Sequence, residues 1–285
     1  MQIERGVVFG VSNLPWLQET LLSAATLKRN MPELPIELHI DKRTAELLPD
    51  TINLESFFDF VCQFDSFANW RDPKFSALRS KRFSKVLYLD GDTYILDRLD
   101  ELFDLLDNFD IAAMPAPQRI HSNSIACGLY DIFPTVPASF PEYNAGVMPF
   151  LSGQQFDEFV DYWQELYEQG FQQKKYRMDQ AALRVALFHS KLRLCALTPE
   201  YNLRAGVPNV VKDKVKIIHA HGFLKEIDRE ANDLHPQIRV VKPNRELLFG
   251  FFPKGVQSPV PSEEELKQQI ADISTAVEKI RSGNF

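Results

Sequence analysis

The sequence predicts an α/β protein whose sheet is mostly parallel and covered by helices on both faces. Through residue 115, short runs of β-branched and large apolar residues alternate with stretches of helical periodicity. The chain has 285 residues and 45% hydrophobic content, enough to bury a substantial core. The apolar run Val86-Leu87-Tyr88-Leu89 ends in Asp90-Gly91-Asp92, and ligands of open α/β sheets lie outside the carboxyl ends of their strands.

Val7 to Val11 reads as the first buried strand, with Ser12-Asn13 turning into a helix from about Pro15 that carries Leu17, Leu21, Leu22, Ala25 and Leu27. Ile36 to Ile40 follows as a second strand, then a short helix around Thr44 to Leu48. Phe60 to Phe64 is a third strand, and a helix from Pro73 to Ser80 delivers the chain to the Asp-Gly-Asp strand. Leu99 to Leu106 has helical spacing, and Ile111 to Met114 is another strand. From Pro115 to Pro141 prolines are frequent and periodicity is lost, which predicts a long functional or mobile loop. Tyr143 to Phe150 then reads as a strand, Gln154 to Gln169 and Met178 to Phe188 as helices, and Leu192 to Leu197 and Val215 to Ile218 as the last strands.

The tail is set apart: residues 1–255 read as one catalytic domain and residues 256–285 as a capped amphipathic helix. Ser262 and Glu265 form a capping box, and Leu266, Ile270, Ile273, Val277 and Ile280 make a narrow apolar stripe. That stripe suits either packing back on the domain or a homodimer contact.

The balance of 32 basic and 39 acidic residues gives a net charge of −7, which argues against nucleic acid and anionic membranes as partners. Cys62, Cys127 and Cys195 form no Cys-x-x-Cys pair and read as reduced core thiols. No apolar stretch is long enough for a signal peptide or a membrane span, so a cytoplasmic protein is expected.

Asp90 and Asp92 share a face if the strand continues, and Gly91 lets the backbone approach a ligand. Two converging carboxylates repel without a cation between them, and hard oxygen ligands suit Mg²⁺ or Mn²⁺. A surface turn is the plain alternative, since Asp-Gly is a common turn dipeptide. Later, Lys214 to Ile218 runs into His219-Ala220-His221-Gly222-Phe223-Leu224-Lys225. A strand ending this way offers an imidazole to a metal and an ammonium to a phosphate, although a lone histidine is as readily a hydrogen-bonded residue.

Together, Val86 to Asp92, Tyr143-Asn144-Ala145-Gly146-Val147, Asp179-Gln180 and His219-x-x-Gly222-x-x-Lys225 resemble the family 8 retaining glycosyltransferases, the group of glycogenin and the lipopolysaccharide galactosyltransferases. The likeness spans roughly residues 5 to 230, and Leu197 to Asn202 is similar to that family's proline-tyrosine-asparagine segment. The resemblance implies a GT-A fold and transfer of a sugar from a nucleoside diphosphate donor, usually a UDP-sugar, with Mn²⁺ or Mg²⁺, to an acceptor that the sequence does not identify.

By the same resemblance, Asp90 and Asp92, as the DxD motif, and His219 hold the metal, Lys225 and the Gly222 amide meet the donor phosphates, and Lys74, which matches the family's lysine in the helix before the metal motif, belongs to the donor site. Gly91, Asn144 and Ala145 line the donor site, Asn144 and Asp179 bond donor-sugar hydroxyls, and Gln180 stands on the reacting face. His221 ranks second as a metal or phosphate contact. A carboxamide at position 180 is a poor nucleophile and suits front-face transfer with retention.

Two departures bear on specificity. Val11 to Trp16 lacks the acidic turn and tyrosine that frame uracil in that family. Glu226-Ile227 replaces the proline and tryptophan that normally follow the lysine motif. The rival readings are a haloacid-dehalogenase-type phosphatase, which shares the strand with two acids, and a non-catalytic relative that binds sugar nucleotides. Polar residues His121 to Ser124 make the 115–141 segment the expected place for acceptor selection.

Overall fold

The computed structural model describes residues 2–65, 72–204, 207, 209–220, 239–241 and 262–283. Its strands are β1 (Ile3–Val11), β2 (Ile36–Asp41), β3 (Phe60–Phe64), β4 (Phe83–Leu89), β5 (Thr93–Ile95), β6 (Ile111–Pro115), β7 (Tyr143–Asn144), β8 (Val147–Leu151), β9 (Leu194–Ala196), β10 (Leu203–Arg204), β11 (Asn209–Val211), β12 (Ile217–His219) and β13 (Arg239–Val241). Its helices are α1 (Leu14–Asn30), α2 (Lys42–Glu46), α3 (Asp72–Leu78), α4 (Asp100–Asp104), α5 (Ser122–Ala126), α6 (Gln154–Lys174), α7 (Gln180–His189) and α8 (Glu263–Arg281).

The central eight-stranded sheet has the order β3-β2-β1-β4-β8-β6-β7, with β9 also paired to β6. The β3, β2, β1 and β4 neighbours pair in parallel, as do β6 and β9, whereas β8 and β7 run against their neighbours. The mostly parallel sheet expected from the alternating pattern is present. The single strand expected from Tyr143 to Phe150 is two strands broken at Ala145-Gly146, each antiparallel to β6. A fully buried run carries no alternation from which its direction could be read.

Alternation on the central strands divides the core in two. Val7, Phe9, Leu87 and Leu89 face α1, while Val8, Val86 and Tyr88 face α3, α6 and α7. Trp163 of α6 is fully buried and meets the Phe75 ring edge-on at 5.3 Å, locking α6 to α3. Helix α3 sits close to β1 because Gly10 has no side chain: a Cβ there would stand 2.2 Å from the Pro73 carbonyl oxygen.

Helix α8 begins with Ser262 and Glu265 in a reciprocal capping box and lays Ile273 and Val277, both buried, into the core on the α1 side. Leu266, Ile270 and Ile280 pack partly against the same cluster. The apolar stripe is therefore taken up within the chain, the first of the two arrangements that its spacing allowed.

The stretch between β6 and β7 is a built structure. It contains α5 and a 3₁₀ turn at Leu129–Asp131. The buried Arg184 of α7 holds its far end by donating to the carbonyls of Phe140 at 2.7 Å and Pro137 at 2.8 Å, with its guanidinium 4.9 Å from the Tyr130 ring. Tyr130 in turn donates to the fully buried Glu142. The three cysteines are free thiols, but Cys127 is exposed and the other two only partly buried, so they are not the core thiols expected. Among the described residues no helix is long and apolar enough to cross a membrane.

Candidate active site

Strand β4 ends at Leu89, one residue before the first acid, and Asp90-Gly91-Asp92 is a turn that leads into β5. The acids thus converge through a tight turn, the alternative that Asp-Gly left open, and not along one face of a continuing strand. Gly91 is required there, since a Cβ would stand 2.3 Å from the Thr20 hydroxyl on α1.

Register brings the imidazole to this turn. In the three-stranded sheet β10-β12-β5, β12 runs antiparallel to β5 and pairs His219 with Thr93, the residue after Asp92. The Ala220 amide completes the ladder by donating to the Asp92 carbonyl at 2.9 Å. His219 Nε2 lies 3.2 Å from Asp92 Oδ1 and 3.8 Å from Asp90 Oδ2. His219 and Asp92 are both buried. Gly146 makes room for the ring, because a Cβ would meet His219 Cε1 at 2.1 Å.

A chain of hydrogen bonds fixes the state of that ring. The Gly146 amide can only donate, and it bonds Asn144 Oδ1 at 3.0 Å. Asn202 Nδ2 donates to the same oxygen at 2.9 Å, which leaves Asn202 Oδ1 to face His219 Nδ1 at 2.9 Å. Nδ1 must therefore carry the proton, and in the neutral ring Nε2 presents its lone pair to two carboxylates. Three acceptors converge with no donor among them. Either a second proton on the ring or a cation must lie between them, and two carboxylate oxygens with an imidazole nitrogen form a donor set suited to Mn²⁺ or Mg²⁺. Asp90, Asp92 and His219 are the residues that would hold it.

The other polar groups are ordered around this point. Lys74, buried on α3, bridges Asp90 at 3.1 Å and Asp179 at 3.0 Å, with its ammonium 5.2 Å from the Tyr88 ring. Tyr88 donates to Asp90 Oδ1 at 2.7 Å. Asp179 occupies the N-cap position of α7 but makes no capping bond with its side chain; its carboxylate is turned to Lys74 instead. Gln180 opens the helix and is buried at the cleft wall.

Lys74, Asp90, Gly91, Asp92, Asn144, Ala145, Asp179, Gln180 and His219 all line one open cleft. Asn144 uses its amide oxygen in the chain that orients His219. His221, Gly222 and Lys225 lie outside the described residues. No residue between 116 and 141 is among those lining the cleft.

Two residues at this site escaped sequence reasoning. Asn202 fixes the tautomer of His219, and Arg204, on β10, projects into the cleft. The signal for Asn202 was its place in the segment Leu197 to Asn202. For Arg204 there was none, as a two-residue strand has no periodicity.

No protein-family model matches the sequence, and no curated protein does either. Among solved structures, the chain is similar to the galactosyltransferase LgtC in complex with donor and acceptor sugar analogues, at 17% identity and a TM-score of 0.51 over 79% of this chain and 90% of that one. An active-site mutant of LgtC matches at 16% identity and the same TM-score, over 76% of this chain and 87% of the other. The glycosyltransferase GlyE of Streptococcus pneumoniae matches at 19% identity and 0.49, over 71% of this chain and 48% of its own.

The chain has the GT-A fold. At these identities the likeness is one of architecture: a mixed, mostly parallel sheet between helices, with its cleft at the carboxyl ends of β1 and β4.

Proposed function

We propose that this protein is a metal-dependent glycosyltransferase that moves a sugar, with retention, from a nucleoside diphosphate donor, in the first instance a UDP-sugar, to an acceptor. The observation that carries the reading is the convergence of Asp90, Asp92 and the Nε2 lone pair of His219 in the open cleft that Lys74, Asp179 and Gln180 also line. A divalent cation held there would act as a Lewis acid on the donor diphosphate and stabilise charge on the departing nucleotide.

The chain's own residues account for the remaining tasks. Lys74 lies between Asp90 and Asp179 and fixes the direction of the Asp179 carboxylate. An immobile carboxylate at the start of α7 suits a sugar hydroxyl as a hydrogen-bond partner. Gln180 offers a carboxamide beside it, which can hold a sugar or shield an oxocarbenium-like state but is a weak nucleophile. Gly222 and Lys225 are proposed for the phosphates on the sequence resemblance alone, with His221 ranked behind them.

Phosphatase chemistry would need one of the two acids as an attacking nucleophile. Asp90 is held by Lys74 and Tyr88, and Asp92 is buried against an imidazole. These contacts suit ligation better than attack.

The test is a screen of nucleotide-sugar donors with Mn²⁺, following nucleotide release by donor hydrolysis, which requires no acceptor. Release from at least one donor, lost on chelation and restored by Mn²⁺, is the expected result. Tight binding of nucleotide and Mn²⁺ with no turnover of any donor or acceptor would leave a binding protein. Phosphate release from simple phosphomonoesters would point to the phosphatase.

A further inference from the structure

We propose that Arg204 grips the diphosphate of the donor with its guanidinium fork, next to the cation that Asp90, Asp92 and His219 would hold. The inference rests on the sugar-transfer reading and adds to it a ligand contact supplied by a strand outside the motifs that suggested it.

Placement comes first. Strand β10 runs parallel to β12, with Arg204 in register with His219. Residues paired across neighbouring strands point to the same side, with backbones roughly 4.8 Å apart. The arginine is thus directed into the same cleft as the imidazole and lines it beside Asp92. Whatever bridges a cation at His219 Nε2 comes within reach of the guanidinium.

Its partners come second. Among the described residues Arg204 has three carboxylates nearby, Asp92, Asp90 and Asp179, whose charges favour its protonated form, yet it makes neither an ion pair nor a side-chain hydrogen bond with any of them. Burial works against its charge and lowers its pKa, but an arginine remains protonated at any ordinary pH. Lys74, by contrast, already bridges two acids. Arg204 is therefore the cation of the described cleft whose donors are open to an incoming anion.

Charge gives the third argument. Three carboxylates against Lys74 and Arg204 leave the described cleft with a net −1, and a divalent cation would take it to +1. An anion is needed to restore balance. A planar fork with parallel N–H donors matches two phosphate oxygens, whereas a sugar hydroxyl would leave most of that charge unanswered. A purely structural role, long-range compensation of the buried acids, would need the charge but not the fork.

Inorganic pyrophosphate is the probe, titrated calorimetrically into the full chain at saturating Mn²⁺, with Mn²⁺ alone titrated as well. Arg204→Gln is expected to weaken pyrophosphate by about 30-fold or more while still binding Mn²⁺, the size of effect seen when one partner of a buried charged pair is removed. Arg204→Lys, which keeps the charge and loses the fork, is expected to weaken it by roughly 10-fold. Wild-type affinity in either folded variant overturns the grip, and the lysine variant decides the matter if the glutamine variant lacks a cooperative thermal transition. A wild-type protein that binds no pyrophosphate with Mn²⁺ overturns the sugar-transfer reading itself, and the grip with it.

Discussion

Two clusters in this molecule bring a carboxylate and an imidazole within reach of each other, and they are opposites in hydrogen-bond terms. In the first, Asp90, Asp92 and His219 present acceptors to one another at the cleft floor. In the second, Glu37 and His39 of β2 and Cys62 of β3 gather at the other end of the sheet. There three neighbours donate to the carboxylate. Ser80 donates to Glu37 Oε2, Cys62 to Oε1 at 3.0 Å, and Arg82 Nε to Oε1 at 3.2 Å. Arg82 lies 3.8 Å from the Phe60 ring and already supplies the cation. Burial together with Glu37 raises the Cys62 pKa, which keeps the thiol protonated and poor as a metal ligand. In both clusters a carboxylate meets an imidazole; at Glu37 three protein donors answer the carboxylate, whereas the atoms that Asp90, Asp92 and His219 turn to one another are acceptors.

The largest effects should fall on the first cluster. Asp92→Ala and His219→Ala are each expected to abolish Mn²⁺ binding and Mn²⁺-dependent nucleotide release while unfolding stays cooperative. Glu37→Gln should leave Mn²⁺ affinity where it was, and a comparable loss in that variant would erase the contrast. Next comes Asn202→Ala, which leaves His219 in place but releases its tautomer. Outer-shell partners of metal-bound histidines typically contribute about 10- to 100-fold in affinity, and a loss in that range by calorimetry is expected. Unchanged affinity would show that the ring needs no orienting partner.

What was legible in the sequence follows the same physics. An apolar run broken by two acids marks a strand end beside a cleft, so Asp90 and Asp92 could be found from local pattern. His219 could be suspected only as part of a set, because its approach depends on the register of β12 with β5, formed between residues far apart in the chain. Arg204 was invisible, since its side chain has meaning only once β10 lies against β12. Helix α8 was legible in its ends and its stripe but not in its destination, as the same stripe would serve a partner chain. The stretch from 115 to 141 read as loop because much of what holds it comes from residues distant in sequence, Arg184 and Glu142 among them, which leaves no local period.

The second cluster has its own signature in acid. Burial works to raise the Glu37 pKa, and interactions with His39, Cys62 and Ser80 outweigh it, bringing the carboxyl from 4.5 down to about 2. An unfolded chain takes up the proton near 4.5, while the folded one resists until about 2, so protons favour unfolding within that window. The stabilisation is complete above about 4.5 and is lost as pH falls toward 2. Thermal midpoints of wild type should decline across this interval, and those of Glu37→Gln should start lower and decline less. Parallel profiles would mean that Glu37 is not held in the ionised state by its neighbours.

The smallest change is Cys62→Ser. A hydroxyl can donate to Glu37 as the thiol does, so one neutral hydrogen bond is exchanged for another and stability should move by no more than about 1 kcal/mol. Mn²⁺ affinity should not move at all. The variant is informative because it separates two roles that a Glu, His and Cys grouping could play. A ligand to a soft metal would be lost on replacing sulfur by oxygen, whereas a proton donor to a buried carboxylate would hardly register it. Zn²⁺ titration of wild type and Cys62→Ser distinguishes them directly: stoichiometric binding in the first and none in the second would make β2 and β3 a metal site after all, with Arg82 displaced from Glu37. Equal and weak binding in both is what the arrangement of donors around Glu37 leads us to expect.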